Sequence, residues 1–484
     1  MKRRDFLNMT LMNTAALALS PLVRASEGNK RPNIIFIMAD DLGYGHLECY
    51  GQKRIRTPHL NSMAAEGMKF TQCYSGAPVC APSRCTLMTG LHGGHASVRG
   101  NTGGIPLLPE DLTVAEILKE SGYTTGLFGK WGLGEHGTAG IPNEQGFDEF
   151  FGWLHQIHAH FYYPEYLWHN DTRYPLEGND GKSGQYAHDV VVEKAFDFVR
   201  RHGSPSGLDQ RKPFFLYLAF AIPHYELLVP EDSLQEYRGK FPEKPYIGRG
   251  RGTGYPVDYA AQETPKAALA AMITRMDQNI GRLVSLLKEL GIDDNTIIFF
   301  TSDNGASDGP ADPEFFNAMA GLRGLKTQLY EGGIRVPMIV QWPGKIQRDS
   351  TCNHVCYFPD ILPTLADLAG TESPKSIDGL SILPSLLGQN RTGKSQSEHE
   401  YLYWETDGCR ALRMGNWKAL QKYDKEGKET DFELYDLSID PAEQANLADK
   451  KPDIAENLGK ILQTAHKDVR PQIEPEKPEG RQYQ

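Results

Sequence analysis

Seven cysteines in 484 residues are too few for a disulfide framework. Cys352 and Cys356 lack a second cysteine pair or histidine partners at zinc-site spacing, so they read as structural. Long apolar runs are missing too. Past the first 25 residues none approaches the roughly 18 residues of a membrane span, and no span is expected. Positive charge is in deficit: 51 Lys and Arg face 62 Asp and Glu, a net −11. Lys2, Arg3, Arg4 and Arg24 against Asp5 make the first 25 residues +3, which leaves −14 for the remainder. That balance excludes a general binder of nucleic acid or anionic membrane, and a local basic pocket must draw in any anionic substrate. No internal repeat is visible.

What is present begins with an export signal. Residues 1–25 have a basic head, an apolar stretch from Leu11 to Leu19 and small residues around Val23-Arg24-Ala25. Arg3-Arg4-Asp5-Phe6-Leu7 resembles a twin-arginine signal, and no Cys stands at the cleavage region for a lipid anchor. The expectation is an exported protein, periplasmic or secreted. Residues 26–384 read as one large catalytic α/β domain, 385–470 as a smaller C-terminal α+β domain with an antiparallel sheet, and 471–484 as a flexible tail.

Four short apolar, β-branched or aromatic runs have the pattern of strands covered on both faces: 33–39, 124–128, 214–220 and 296–300. Each delivers polar groups: Asp40-Asp41, Lys130, His224 and Asp303-Asn304. Helices are expected at 58–66, after the Thr113–Glu116 capping box, at 188–201 and at 265–290. The order argues an α/β fold, a large mixed sheet sandwiched between helices, with ligands beyond the carboxyl ends of the strands. A long aromatic, His-rich loop is expected from Phe147 to Tyr174. Beyond Pro384 the alternation at 400–404, 411–414 and 417–420 is that of antiparallel strands.

Asp40, Asp41, Asp303 and Asn304 offer hard oxygen donors, which suit calcium or magnesium. Lys130, Arg84 and Lys326 can supply charge for an anionic substrate, and His224 a proton near neutral pH. The residues alone therefore point to metal-assisted hydrolysis of an anionic ester. The densest signal is Cys80-Ala81-Pro82-Ser83-Arg84-Cys85-Thr86-Leu87-Met88-Thr89-Gly90. Pro82 suits the first position of a helix and Gly90 its left-handed cap. Cys80 would then sit at the positive end of the helix dipole, where an anion is favoured, with the Arg84 guanidinium one turn on and able to return to it.

This stretch resembles the signature of the type I sulfatases, with Leu87 or Met88 in its aliphatic slot. The resemblance runs from about Arg31 to Leu447. It implies an alkaline-phosphatase-like fold and oxidation of Cys80 to formylglycine, the nucleophile, by a maturation enzyme. It also implies one calcium ion held by Asp40, Asp41, Asp303, Asn304 and the modified Cys80, with Arg84, Lys130, His224 and Lys326 as further catalytic residues. The activity implied is sulfate-ester hydrolysis. The aromatic loop suits a sugar ring or packing on its own domain, and with the export signal a sulfated glycan rather than a small aryl sulfate is the expected substrate. The alternatives are a phosphate or phosphonate ester hydrolase of the same superfamily, or an inactive protein that binds sulfated glycans. One departure stands out. The family reads Gly-Lys-Trp-His-Leu-Gly, but this chain has Gly132 in place of the His. His136, His158 and His160 are the candidates to fill that space, with the loop pair favoured.

Overall fold

The computed structural model describes residues 31–203, 212–248 and 259–468. The expected export signal and flexible tail lie outside them. No helix among the described residues is long and apolar enough to cross a membrane.

The main sheet has eleven strands: β1 (Asn33–Ala39), β2 (Met68–Tyr74), β3 (Thr124–Lys130), β4 (Glu149–Trp153), β5 (Tyr166–His169), β6 (Thr172–Pro175), β7 (Phe214–Ala219), β8 (Thr296–Ser302), β9 (Arg335–Gln341), β10 (Ser350–Cys352) and β11 (Cys356–Tyr357). Their order is β10-β2-β9-β8-β1-β7-β3-β4-β5-β6, with β11 also paired to β2. The central five, β8-β1-β7-β3-β4, run parallel. β9 is antiparallel to β8, and β5 to β4, so the sheet is mixed, as expected. Every residue of β1, β7 and β8 is buried, because helices cover both faces of a parallel sheet. One apolar layer joins Ile35, Ile37 and Leu216 to the helices Pro58–Ala65, Ala187–Gly203 and Pro265–Glu289. The other joins Ile34, Phe36 and Phe299 to the helices Cys80–Thr89, Val114–Glu120 and Ile361–Ala369.

The expected helices form, although Thr264, at the N-cap of the helix Pro265–Glu289, makes no side-chain capping bond. Thr113 and Glu116 make a reciprocal capping box, and prolines begin the helices at 58 and 265. The region 147–174 is not the long loop expected: it holds β4 and the β5–β6 hairpin. Phe150, Phe151 and Trp153 of β4 extend the buried sheet, and Asn170 turns the hairpin in the left-handed region at φ 53°.

A second sheet follows: β12 (Leu402–Thr406), β13 (Cys409–Met414), β14 (Trp417–Tyr423) and β15 (Glu429–Asp436), antiparallel and in sequence order. One face packs Leu402, Trp404, Ala411 and Leu420 onto Tyr74, Tyr330 and Tyr357 of the large sheet and its loops. The other is covered by the helix Pro452–Thr464 through Leu458 and Leu462.

Candidate active site

Four adjacent parallel strands, β8, β1, β7 and β3, release their chains at one edge of the sheet. Their register brings Ala39 opposite Ser302, and Met38 opposite Ala219, which in turn lies opposite Gly129. Asp40-Asp41, Asp303-Asn304, Lys130 and the Phe220–His224 segment therefore leave side by side. Backbone bonds pin the fan, from Asp40 N–H to Ile222 O at 3.2 Å and from Asp303 N–H to Ala39 O at 3.0 Å. Asp41 turns with φ 64°, a left-handed conformation tolerated here where a carboxylate has to be aimed.

Cys80 begins the helix Cys80–Thr89, all ten residues of which are buried. Pro82 is the third helical residue rather than the first, because the preceding extended residue is Val79. Gly90 closes the helix at φ 70°, as expected. The Cys80 Sγ lies 3.2 Å from Asp40 Oδ1, 3.9 Å from Asp41 Oδ1 and 3.5 Å from Lys326 Nζ. Arg84 does not return to Cys80. Its Nε and Nη2 donate to Asp303 Oδ2 at 3.1 and 2.8 Å, and Nη1 donates to the Lys130 carbonyl at 2.9 Å. A buried carboxylate one strand away outcompetes a thiol for a guanidinium.

Two lysines reach the carboxylates: Lys130 Nζ lies 2.6 Å from Asp40 Oδ2, and Lys326 Nζ 2.8 Å from the Asp41 carboxylate. Lys326 also lies 3.0 Å from His224 Nε2, itself 3.5 Å from Asp41. Asn304 Nδ2 donates to Asp41 Oδ1 at 2.7 Å, and Asp303 Oδ1 accepts the Asp41 N–H at 3.1 Å. One ligand atom from each of Asp40, Asp41, Cys80 and His224 falls within 4.8 Å of all the others. Asp303 is not in that group; its Oδ2 takes the Arg84 guanidinium and its Oδ1 the Asp41 N–H.

The electrostatics follow from burial. Burial raises the Asp40 pKa, but Lys130, then Arg84 and Lys326, outweigh it and hold the carboxyl below its ordinary value. Asp303 is pushed up to about 6 by burial and by Asp40. The Cys80 thiol is pushed well up by burial, Asp303 and Asp40. Burial, then Lys326, Lys130 and Arg84, hold His224 well below its ordinary pKa, so it is a neutral imidazole rather than a proton donor at neutral pH.

The three histidines considered for the Gly132 space part company. His160 stacks on His224, ring centroids 3.9 Å apart, and its Nδ1 lies 3.1 Å from the Tyr259 hydroxyl. His158 packs on Tyr166, and exposed His136 stacks on Trp168. None of these fills the space. A Cβ at residue 132 would lie 2.5 Å from Gln156 Oε1, so the Gln156 amide stands there. No sequence signal singled this residue out of the aromatic, His-rich stretch read as suiting a sugar ring. Nor did one mark Asn101, whose Oδ1 accepts the Ala81 N–H at 3.0 Å.

Comparison with known proteins identifies the family. The sulfatase family model matches residues 32–371, and a model described as the C-terminal part of N-sulphoglucosamine sulphohydrolase matches 325–469. Human arylsulfatase A is 31% identical over 86% of this chain and 83% of its own. An N-acetylgalactosamine-6-O-sulfatase of Bacteroides thetaiotaomicron is 29% identical over 90% of this chain and 94% of its own. The crystal structure of Ps i-CgsB in complex with k-i-k-neocarrahexaose superposes with a TM-score of 0.73 at 26% identity, covering 91% of this chain and 94% of that one. With its matched domain, its strand-end carboxylates and the Cys80 helix between them, the chain belongs to the sulfatase family and is a sulfuric ester hydrolase.

Proposed function

We propose that this enzyme removes sulfate from carbohydrates, with a formylglycine made from Cys80 as nucleophile and calcium as its resident metal. The observation that carries the reading is the convergence of Cys80, Asp40 and Asp41 between two lysines. The donors fit a hard cation: three carboxylates and the Asn304 amide, whose buried Oδ1 has no hydrogen-bond partner in the protein. Asp40, Asp41, Asp303 and Asn304 would hold the metal beside the modified Cys80. When bound, it supplies positive charge to the sulfate oxygens, and the hydrated aldehyde supplies a nucleophilic hydroxyl.

The side chains divide the remaining work. Lys130, on Asp40, and Lys326, 3.5 Å from the Cys80 Sγ, give a sulfate oxygen somewhere to point. Arg84 fixes Asp303 and the end of β3 together, which keeps Lys130 in place. His224, neutral and buried, accepts from Lys326 and orients its ammonium.

A carbohydrate is favoured because similar proteins are named for sulfated sugars and one was crystallised with an oligosaccharide. The sequence of residues 1–25 supports export, and the Cys80 reading requires a maturation enzyme as partner. Mass spectrometry of the Cys80 peptide should show a loss of about 18 Da against the thiol. Full activity with the thiol intact would overturn the nucleophile. Chelation should abolish turnover and calcium restore it. A panel of galactose, glucosamine and N-acetylgalactosamine sulfates beside 4-nitrophenyl sulfate and 4-nitrophenyl phosphate tests the substrate, and faster cleavage of the phosphate would reverse the ester class.

A further inference from the structure

Gln156 is the least explained polar side chain near the site. It is 1% exposed, and neither its Oε1 nor its Nε2 has a hydrogen-bond partner. Leaving both ends of a buried amide unpaired is costly, so the position asks for a partner absent from the protein itself. The fold places this amide with care. Pairing between β3 and β4 continues past both strands, with Trp131 N–H on Trp153 O and Gly132 N–H on Leu154 O, each at 3.0 Å. The chain then turns, and Gln156 comes back over Gly132, where any side chain would collide with its Oε1. Gly132 stands at φ 81°, which further disfavours a side chain there.

The chain on either side of this contact leads to the catalytic groups. Lys130, on Asp40, is two residues before Gly132. His160, four residues after Gln156, stacks on His224. The segment 155–160 thus runs from the Lys130 side of the site to the His224 side. His160 Nε2 is likewise buried without a partner.

Resting on the carbohydrate-sulfatase reading, we propose that Gln156 is a specificity-determining residue whose amide binds a hydroxyl on the sugar side of the ester. The chemistry of the orphaned pair selects this partner. Sulfate oxygens only accept, so they would leave Oε1 unpaired. A hydroxyl both donates and accepts, and one sugar hydroxyl or a neighbouring pair can satisfy both ends of the amide. Gly132 leaves the room, and Gln156 uses it to read the leaving group.

The test compares wild type with Gln156→Leu and Gln156→Ala on 4-nitrophenyl sulfate, whose leaving group has no hydroxyl, and on the best-cleaved sugar sulfate of the panel above. The expected result is a loss of about tenfold or more in kcat/KM on the sugar, mostly in KM, with the aryl sulfate within about twofold. Gln156→Leu should keep or raise the melting temperature, because it removes two unpaired buried atoms. Equal losses on both substrates would assign the amide to the nucleophile or the fold and overturn the proposal. No loss on either would leave it an ordered-water site and overturn it too. Wild type that cleaves the aryl sulfate but none of the sugars would sink it together with the carbohydrate reading. Wild type inactive on every sulfate would instead indict the catalytic assignment itself.

Discussion

Glu226 is buried two residues beyond His224, and burial pushes its carboxyl up to about 7 against an ordinary 4.5, with the Ala260 N–H at 3.3 Å giving slight relief. In the unfolded chain it ionises near its ordinary value, whereas in the folded protein it keeps its proton until about pH 7. Stability from this group is therefore lost as pH rises between those values, and the loss is complete above the higher one. Glu226→Gln should raise the unfolding free energy at pH 8 by an amount approaching about 3 kcal/mol and leave it unchanged at pH 4.5, as read by urea denaturation. At this scale the sequence was most legible where chemistry follows directly on an apolar run. Asp40, Asp41, Lys130, Asp303 and Asn304 could be picked out because a buried strand delivers each of them. Gln156 could not, since its meaning depends on Gly132, 24 residues earlier, facing it across a turn. Arg84 was found, but its partner was misjudged, because helix spacing says where a side chain can reach and not which acceptor wins.

Among elements, β14 ties the second sheet to the segment that follows Lys326. Its Lys418 has a fully buried side chain between Glu331 at 3.0 Å and Glu443 at 2.8 Å. Glu331 also accepts from the Tyr74 hydroxyl at 2.6 Å and opens the short helix Glu331–Ile334. The Gly333 carbonyl within that helix takes the Gly305 N–H at 2.9 Å, next to Asn304. Lys418→Met would strand two carboxylates in the core and should cost about 3–5 kcal/mol. Adding Glu443→Gln should return part of it in a double-mutant cycle by chemical denaturation. Three strands of this sheet were foreseen in outline from their alternation, and β15 was not. The β5–β6 hairpin was not, because Leu167 is the sole fully buried residue of β5 and the Asn170-Asp171 turn lies among aromatics that carry no period.

Over the whole molecule, the charge of −11 works against a polyanionic substrate while the lysines of the site work for it. For a long sulfated polysaccharide, KM should fall as salt is raised from about 0.01 M to about 0.15 M, where screening shortens from ~30 Å to ~8 Å. For a single sulfated sugar it should change far less, or rise, since only the local pocket acts on it. Steady-state kinetics in a salt series checks this. The α/β class and the strand ends were legible at this scale. The strand order β8-β1-β7-β3 was not, because a buried apolar run does not record which of several similar runs will lie beside it.

Cys80 is completely sealed, and so is every residue of the helix it begins. A second enzyme cannot grip a peptide whose backbone is already coiled inside the domain. The oxidation proposed for this thiol therefore competes in time with collapse: it has a window that opens when the ribosome releases the segment and shuts when the sheet closes over it. A chain that folds too quickly becomes a well-ordered thiol protein with no route to repair. If the leader exports its cargo already folded, the window also lies entirely on the cytoplasmic side. Slowing synthesis and folding, by expression at lower temperature with the maturation enzyme present, should raise the modified fraction of the Cys80 peptide. Supplying that enzyme only after purification should leave the fraction where it was.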